Sequence, residues 1–224
     1  MGRILNFFRK PFLEKVRGVL FRLYELDNRI FEWYYLFDFH GDIARKDLIA
    51  DSKYSIENAS DYHPYGNPVF RHLIAEALTI NPNIKCFIDI GCGKGKQLIY
   101  AKRYFEFKTI HGIDFSSSLI EIAGYNIKQY GQNDITAACV DALDYRIPDE
   151  DALVFLFNPF NENILSIFLR NNIDHFRNFS SVIAYANDLH RDTLEDQGFK
   201  VNYRSQREKN SIYTYRKSLE PSKG

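Results

Sequence analysis

Nine consecutive residues, Phe87 to Gly95 (FIDIGCGKG), constrain this chain more than any others. An apolar run ends in a carboxylate, Asp89, and is followed by glycines at 91, 93 and 95. The pattern predicts a buried strand, a tight turn and the start of a helix. Glycines let the backbone turn and come close to a ligand with no Cβ in the way. The helix start behind them offers unpaired N–H groups to a negatively charged ligand group. A dinucleotide fingerprint would need glycine at position 96, where the chain has Lys96, and the Gly-Lys-Ser/Thr ending of a Walker loop is absent.

A regular rhythm surrounds that turn. Strands are predicted at 85–90, 109–113, 135–140, 152–157 and 181–185. Helices are predicted at 94–104, 116–130, 161–176 and 188–197, with Ser116 or Ser117 at an N-cap and Gly131 and Gly198 as stops. Runs at 201–205 and 211–215 have no helix between them and read as a hairpin. This alternation builds a doubly wound α/β sheet that binds ligands at the carboxyl ends of its strands.

Three of those ends carry acids: Asp89, Asp114 and Asp141. Asp89 can hold an ammonium beside the glycine turn, Asp114 both hydroxyls of a ribose, and Asp141 the exocyclic amine of an adenine. One such acid would be an ordinary loop residue, but three at successive strand ends point to one ligand. A molecule with an amino-acid end, a ribose and an adenine is S-adenosylmethionine.

Composition narrows the remaining classes. The 224 residues are 45% hydrophobic, enough for a sizeable core, and 29 Lys plus Arg balance 29 Asp plus Glu. Zero net charge argues against a nucleic-acid partner. Cys86, Cys92 and Cys139 lack metal-ligand spacing, so no metal is expected, and a reduced, cytoplasmic setting is the default. No apolar run is long enough to cross a bilayer, and no signal peptide is read at the start.

The charge is nevertheless uneven. Arg3, Arg9, Lys10, Lys15, Arg17 and Arg22 stand against Glu14 alone, and acids dominate from Glu25 to Asp61. Ile4, Phe8, Phe12, Val16, Val19 and Leu23 follow a helical spacing, with Pro11 at a helix start. This face either packs on the main domain or lies on an anionic membrane surface. The expected layout is a helical extension over 1–60, a core over 61–217 and a tail over 218–224. The extension is expected to form a lid contributing to an acceptor site, with Tyr62 near the transferred group.

Residues 62–216 resemble the class I S-adenosylmethionine-dependent methyltransferases. The matching pieces are FIDIGCGKG (87–95), GIDFSSSLIEIA (112–123), CVDALDY (139–145), LFNPF (156–160) and the closing hairpin. The resemblance implies a Rossmann-like seven-stranded sheet, mostly parallel with an antiparallel C-terminal hairpin. It implies that Asp89, Gly91, Cys92, Gly93 and Gly95 hold the methionine end. Asp114 would bind the ribose with Phe115 beside the adenine, and Asp141 and Ala142 would read the adenine edge. Asn158-Pro159-Phe160 is similar to the motif of enzymes that methylate amino or amide nitrogens, with one proline where DNA-modifying members have two. Asn158 would orient the acceptor, or would simply cap the helix starting near Asn161. Tyr62-His63-Pro64 is similar to the lead-in of a protein-lysine methyltransferase branch, in which this segment covers the cofactor. The implied activity is methyl transfer, to a nitrogen of a protein or small molecule. An oxygen acceptor, or a cofactor-binding protein without transfer, is the alternative. The six histidines form no recognisable catalytic pair, no general base is evident, and the oligomeric state is open.

Overall fold

Strand residues in this chain are apolar on both faces where the sheet is covered on both sides, and mixed where it is not. CFIDI (Cys86–Ile90) and VIAYA (Val182–Ala186) are buried throughout, as central strands of a sheet covered on both faces. ITAAC (Ile135–Cys139) alternates towards solvent at an edge. The computed structural model describes residues 19, 22–49 and 53–216. It divides into two compact units, Met1–Phe37 and Asp38–Gly224. The expected helix start at Pro11 and the tail over 218–224 lie outside the described residues.

In the first unit, residues 22–34 form helix α1. Past its end the chain turns back on itself, with Phe37 N donating to Glu32 O at 3.1 Å. The rings of Phe31, Tyr35 and Phe37 pack together there, the last two stacked at 5.2 Å.

The second unit contains α2 (Lys53–Asn58), α3 (Asn67–Ile80), β1 (Cys86–Ile90), α4 (Lys96–Tyr104), β2 (Thr109–Asp114), α5 (Ser117–Tyr130), β3 (Ile135–Cys139), β4 (Ala152–Phe157), α6 (Glu162–Asn171), α7 (Ile173–Asn178), β5 (Val182–Ala186), α8 (Arg191–Asp196), β6 (Phe199–Ser205) and β7 (Asn210–Tyr215). The strands form one seven-stranded sheet in the order β3-β2-β1-β4-β5-β7-β6. Pairing is parallel from β3 to β5 and antiparallel for β7 on β5 and for β6 on β7. The sheet therefore matches the expected fold class, hairpin included.

One face of the sheet buries Ile88, Val154, Leu156, Ile183 and Tyr213 against Leu165, Phe168 and Phe176. On the other face Phe70 of α3 meets Phe87 and Phe155 edge-on at 6.0 and 5.2 Å. Packing of this kind, rather than helix propensity, holds such short helices.

Several elements depart from the sequence reading in their bounds or caps. The predicted helix over 161–176 is two helices, broken at Asn172. That buried side chain accepts from Ile147 N and donates to Tyr145 O, so the break anchors the loop after β3. Helix α8 starts at Arg191 rather than 188, because Asp188 is drawn to the hairpin by Ser211 and Arg204. Ser116 does stand at the N-cap of α5, but its side chain makes no capping bond and pairs with Ser118 instead. Among the described residues, no helix is long and apolar enough to cross a membrane.

Candidate active site

The turn after β1 is shaped by two close approaches. Gly91 has φ +80°, and a Cβ there would stand 2.5 Å from Pro159 Cβ. Gly93 has φ +54° and lies under the ring of Tyr62, which a Cβ would strike. Both positions therefore exclude a side chain, by space and by conformation.

Above the carboxyl edge of the sheet a cavity is lined by residues from the glycine turn and from the ends of the strands that the motif marks. Tyr62, Asp89, Gly91, Cys92, Asp114, Phe115, Asp141, Ala142, Asn158, Pro159 and Phe160 all line it. Gly93 and Gly95 do not: the first is covered by Tyr62, and the second packs on Ala123 at the start of α4. Sequence reasoning missed Ser55, Lys96 and Gln97, which also line the cavity. Ser55 and Gln97 carry no motif of their own. Lys96 was visible only as the missing fourth glycine.

The acids differ in their surroundings. Asp114 accepts from Gly93 N and Ser116 N, both at 2.9 Å, one on each oxygen. Burial pushes its carboxyl up to about 6, and those two backbone donors offset part of the rise. Asp89 is also buried, and burial together with the nearby Asp114 carboxylate raises its carboxyl well above the usual range. A cationic ligand group beside Asp89 would stabilise its charged form. Asp141 accepts from Leu143 N at 2.9 Å and from the Ser55 hydroxyl. Burial, with Asp114 and Asp89 nearby, raises the Cys92 thiol well above its usual range.

Residues 38–49 and 53–65 form a strap across this edge. Lys94, buried inside the glycine turn, donates to Asp38 Oδ1 at 2.8 Å and to His40 O at 2.6 Å. Asn126 accepts from Asp38 N and donates to Asp38 O. The Tyr62 hydroxyl donates to Phe39 O at 3.0 Å, and burial keeps that phenol protonated. Further along, Ser117 N donates to Ile49 O, Ser60 N to Pro159 O and Asn161 N to Asn58 O, each at 3.0 Å.

A second hollow adjoins the first. It shares Ala59, Ser60, Asp61, His63, Phe157 and Asn158 with the cavity and adds Arg45 and Asn187. Asn158 and Asn187 follow the paired ends Phe157 and Ala186 of β4 and β5. Both hold left-handed backbones, φ +40° and +50°, a strain that gathers at functional sites. The Tyr185 hydroxyl lies 3.2 Å from Asn158 Oδ1 and donates to it. The cap of α6 is Asn161, whose Oδ1 accepts from Ile164 N, so Asn158 is not the helix cap. At the rim His63 Nδ1 lies 2.9 Å from Asp42 Oδ1, a pair the sequence did not suggest.

Residues 87–178 match a family model described as a methyltransferase domain. No curated protein matches the chain by sequence. Among solved structures, a candidate S-adenosylmethionine-dependent methyltransferase of Methanococcus maripaludis is similar at 21% identity and a TM-score of 0.51, over 68% of this chain and 87% of that one. A candidate tRNA (m1A22) methyltransferase of Streptococcus pneumoniae is similar at 11% identity and a TM-score of 0.52, over 66% and 72%. These likenesses bear on the fold, which they share. The cavity fits the cofactor of that family: glycines leave room at its floor, and Asp114 keeps lone pairs for a pair of hydroxyls. The matched residues 87–178 hold the glycine turn and the acid-tipped strands, and the sheet order agrees with that likeness to a methyltransferase domain.

Proposed function

We propose that the enzyme methylates a nitrogen of a polar acceptor, which enters through the smaller hollow beside Asn158. When bound, S-adenosylmethionine supplies a methyl group already activated by its sulfonium. The protein's task is therefore mainly orientation, worth several kcal/mol when the reacting atoms are held in line. Asp89, Gly91 and Cys92 would hold the methionine end, Asp114 the ribose, and Phe115, Asp141 and Ala142 the adenine.

The observation that carries the reading is Asn158. Its strained backbone and the Tyr185 hydroxyl fix its carboxamide at the junction of the two hollows. An amide oxygen held there can accept from an acceptor N–H and aim the nitrogen lone pair. Pro159 fixes the chain after it, and Phe160 forms the adjacent wall. His63, backed by Asp42, lies at the rim of both hollows and would take the proton that the nitrogen loses. Arg45, Asp61 and Asn187 make the entrance polar, which favours a hydrophilic acceptor over a greasy ring. The three cysteines are free, which supports a reducing, cytoplasmic setting.

Cell extract incubated with the enzyme and isotope-labelled S-adenosylmethionine, then resolved by mass spectrometry, tests the reading. Label in an N-methyl product, lost with Asn158→Ala, is expected. Label in an O-methyl ester or ether would overturn the nitrogen assignment.

A further inference from the structure

Val19, Leu23, Leu26, Ile30 and Trp33 belong to the first unit, and each is 53 to 74% exposed. Their successive spacings are four, three, four and three residues. Single exposed apolar residues need no explanation, but an aligned stripe of them is a patch that solitary proteins seldom present. The spacing is the 3.5-residue repeat with which one helix meets another along a shared seam. We propose that this stripe is the contact with a second copy of the chain, paired in parallel.

Charge selects both the occupant and the orientation. With Leu23 and Ile30 at the a positions and Val19, Leu26 and Trp33 at d, the flanking g positions are Arg22 and Arg29, and the e positions are Asp27 and Tyr34. A parallel pair sets each g residue opposite the e residue of the next heptad, so Arg22 faces Asp27 of the second copy. An antiparallel pair sets g against g, which would bring arginines together. The same spacing continues backwards in the sequence through Val16 and Phe12, which lengthens the apolar repeat. An anionic lipid surface suits this stretch less well, because Glu25, Asp27 and Glu32 outnumber Arg22 and Arg29 along residues 22–34. So short a seam is smaller than a standard interface, and a dissociation constant of about 10 µM is expected.

Trp33 is the chain's single tryptophan, so its emission reports directly on the seam. Sedimentation equilibrium of the full chain up to about 100 µM should show a mass twice 26.3 kDa, with a blue shift of emission as concentration rises. The double variant Leu26→Glu, Ile30→Glu should stay monomeric and lose the shift, with the same circular dichroism and melting temperature as the wild type in dilute solution. Arg22→Glu should weaken pairing, and adding Asp27→Arg should restore it. A monomer throughout that range overturns the proposal, as does a dimer that survives the double glutamate variant. A blue shift that appears only on adding phosphatidylserine vesicles also overturns it, in favour of a lipid surface.

Discussion

Replacing Lys94 with methionine removes one charge and keeps most of the side chain's packing. Lys94 is 6% exposed and Asp38 is 54% exposed, so the carboxylate left behind can be hydrated. The cost is therefore not the several kcal/mol of a stranded buried ion. Discounted for the water around Asp38, the ion pair contributes about 1 kcal/mol. The bond from the charged amine to His40 O contributes about 1 kcal/mol more. A total of about 2 kcal/mol lowers the closed-to-open ratio of the strap's first turn by roughly 30-fold. Hydrogen exchange read by mass spectrometry should then show residues 38–42 exchanging up to about 30-fold faster, with the amides of β1 unchanged. Release of S-adenosylhomocysteine in stopped flow should quicken in step, because Tyr62 is tied to the same turn through Phe39. Unchanged exchange over 38–42 would show that the Asn126 and Tyr62 contacts secure the strap without Lys94 and that the reasoning on Lys94 is wrong.

Asp114→Ala should weaken S-adenosylhomocysteine binding by at least tenfold in calorimetry, since two hydroxyls lose their acceptor; equal affinity would refute the ribose assignment. With its carboxyl raised to about 6, wild-type affinity should fall as pH drops below that value. The same raised carboxyl favours the folded state at low pH and loses that contribution as pH rises through about 6, so binding and the stability of the unliganded protein should move in opposite directions on acidification. Asn161→Ala should cost about 1 kcal/mol and lower the melting temperature by about 3 °C without much loss of turnover. Asn158→Ala should do the reverse and reduce turnover by about 100-fold, so equal behaviour of the two variants in melts and rates would refute the division of roles. Gly93→Ala should abolish cofactor binding or unseat Tyr62, and a Gly93→Ala protein with wild-type affinity would contradict the close approach.

The core of the sheet was legible because its signals are local. Each central strand is a short apolar run, and the glycine turn and the three acids sit at fixed offsets from those runs. The break at Asn172 was not legible: nothing in the local sequence announces that this amide is needed by the loop at Tyr145 and Ile147, 27 and 25 residues away. The strap was only half read. Tyr62 could be singled out by its neighbours His63 and Pro64, whereas Ser55 meets Asp141 across 86 positions with no pattern to connect them. The two readings of Asn158 looked alike in sequence, since Asn161 competes for the same cap three residues later. Only the bond from Ile164 N separates them.

The joins between the strap and the Asn158-Pro159-Phe160 loop are made largely by peptide groups, Ser60 N to Pro159 O and Asn161 N to Asn58 O, with the Asn161 side-chain amide also donating to Asn58 Oδ1. The peptide part of this lock is indifferent to side-chain identity and would be broken by proline at 60 or 161. Side chains add bonds within the strap itself, where Asp61 Oδ1 accepts from Arg45 N and the Arg45 guanidinium donates to Glu57 O. On the proposed function, substitution at Asn187, on the rim of the smaller hollow, would alter acceptor preference while the cofactor's cover keeps its peptide joins.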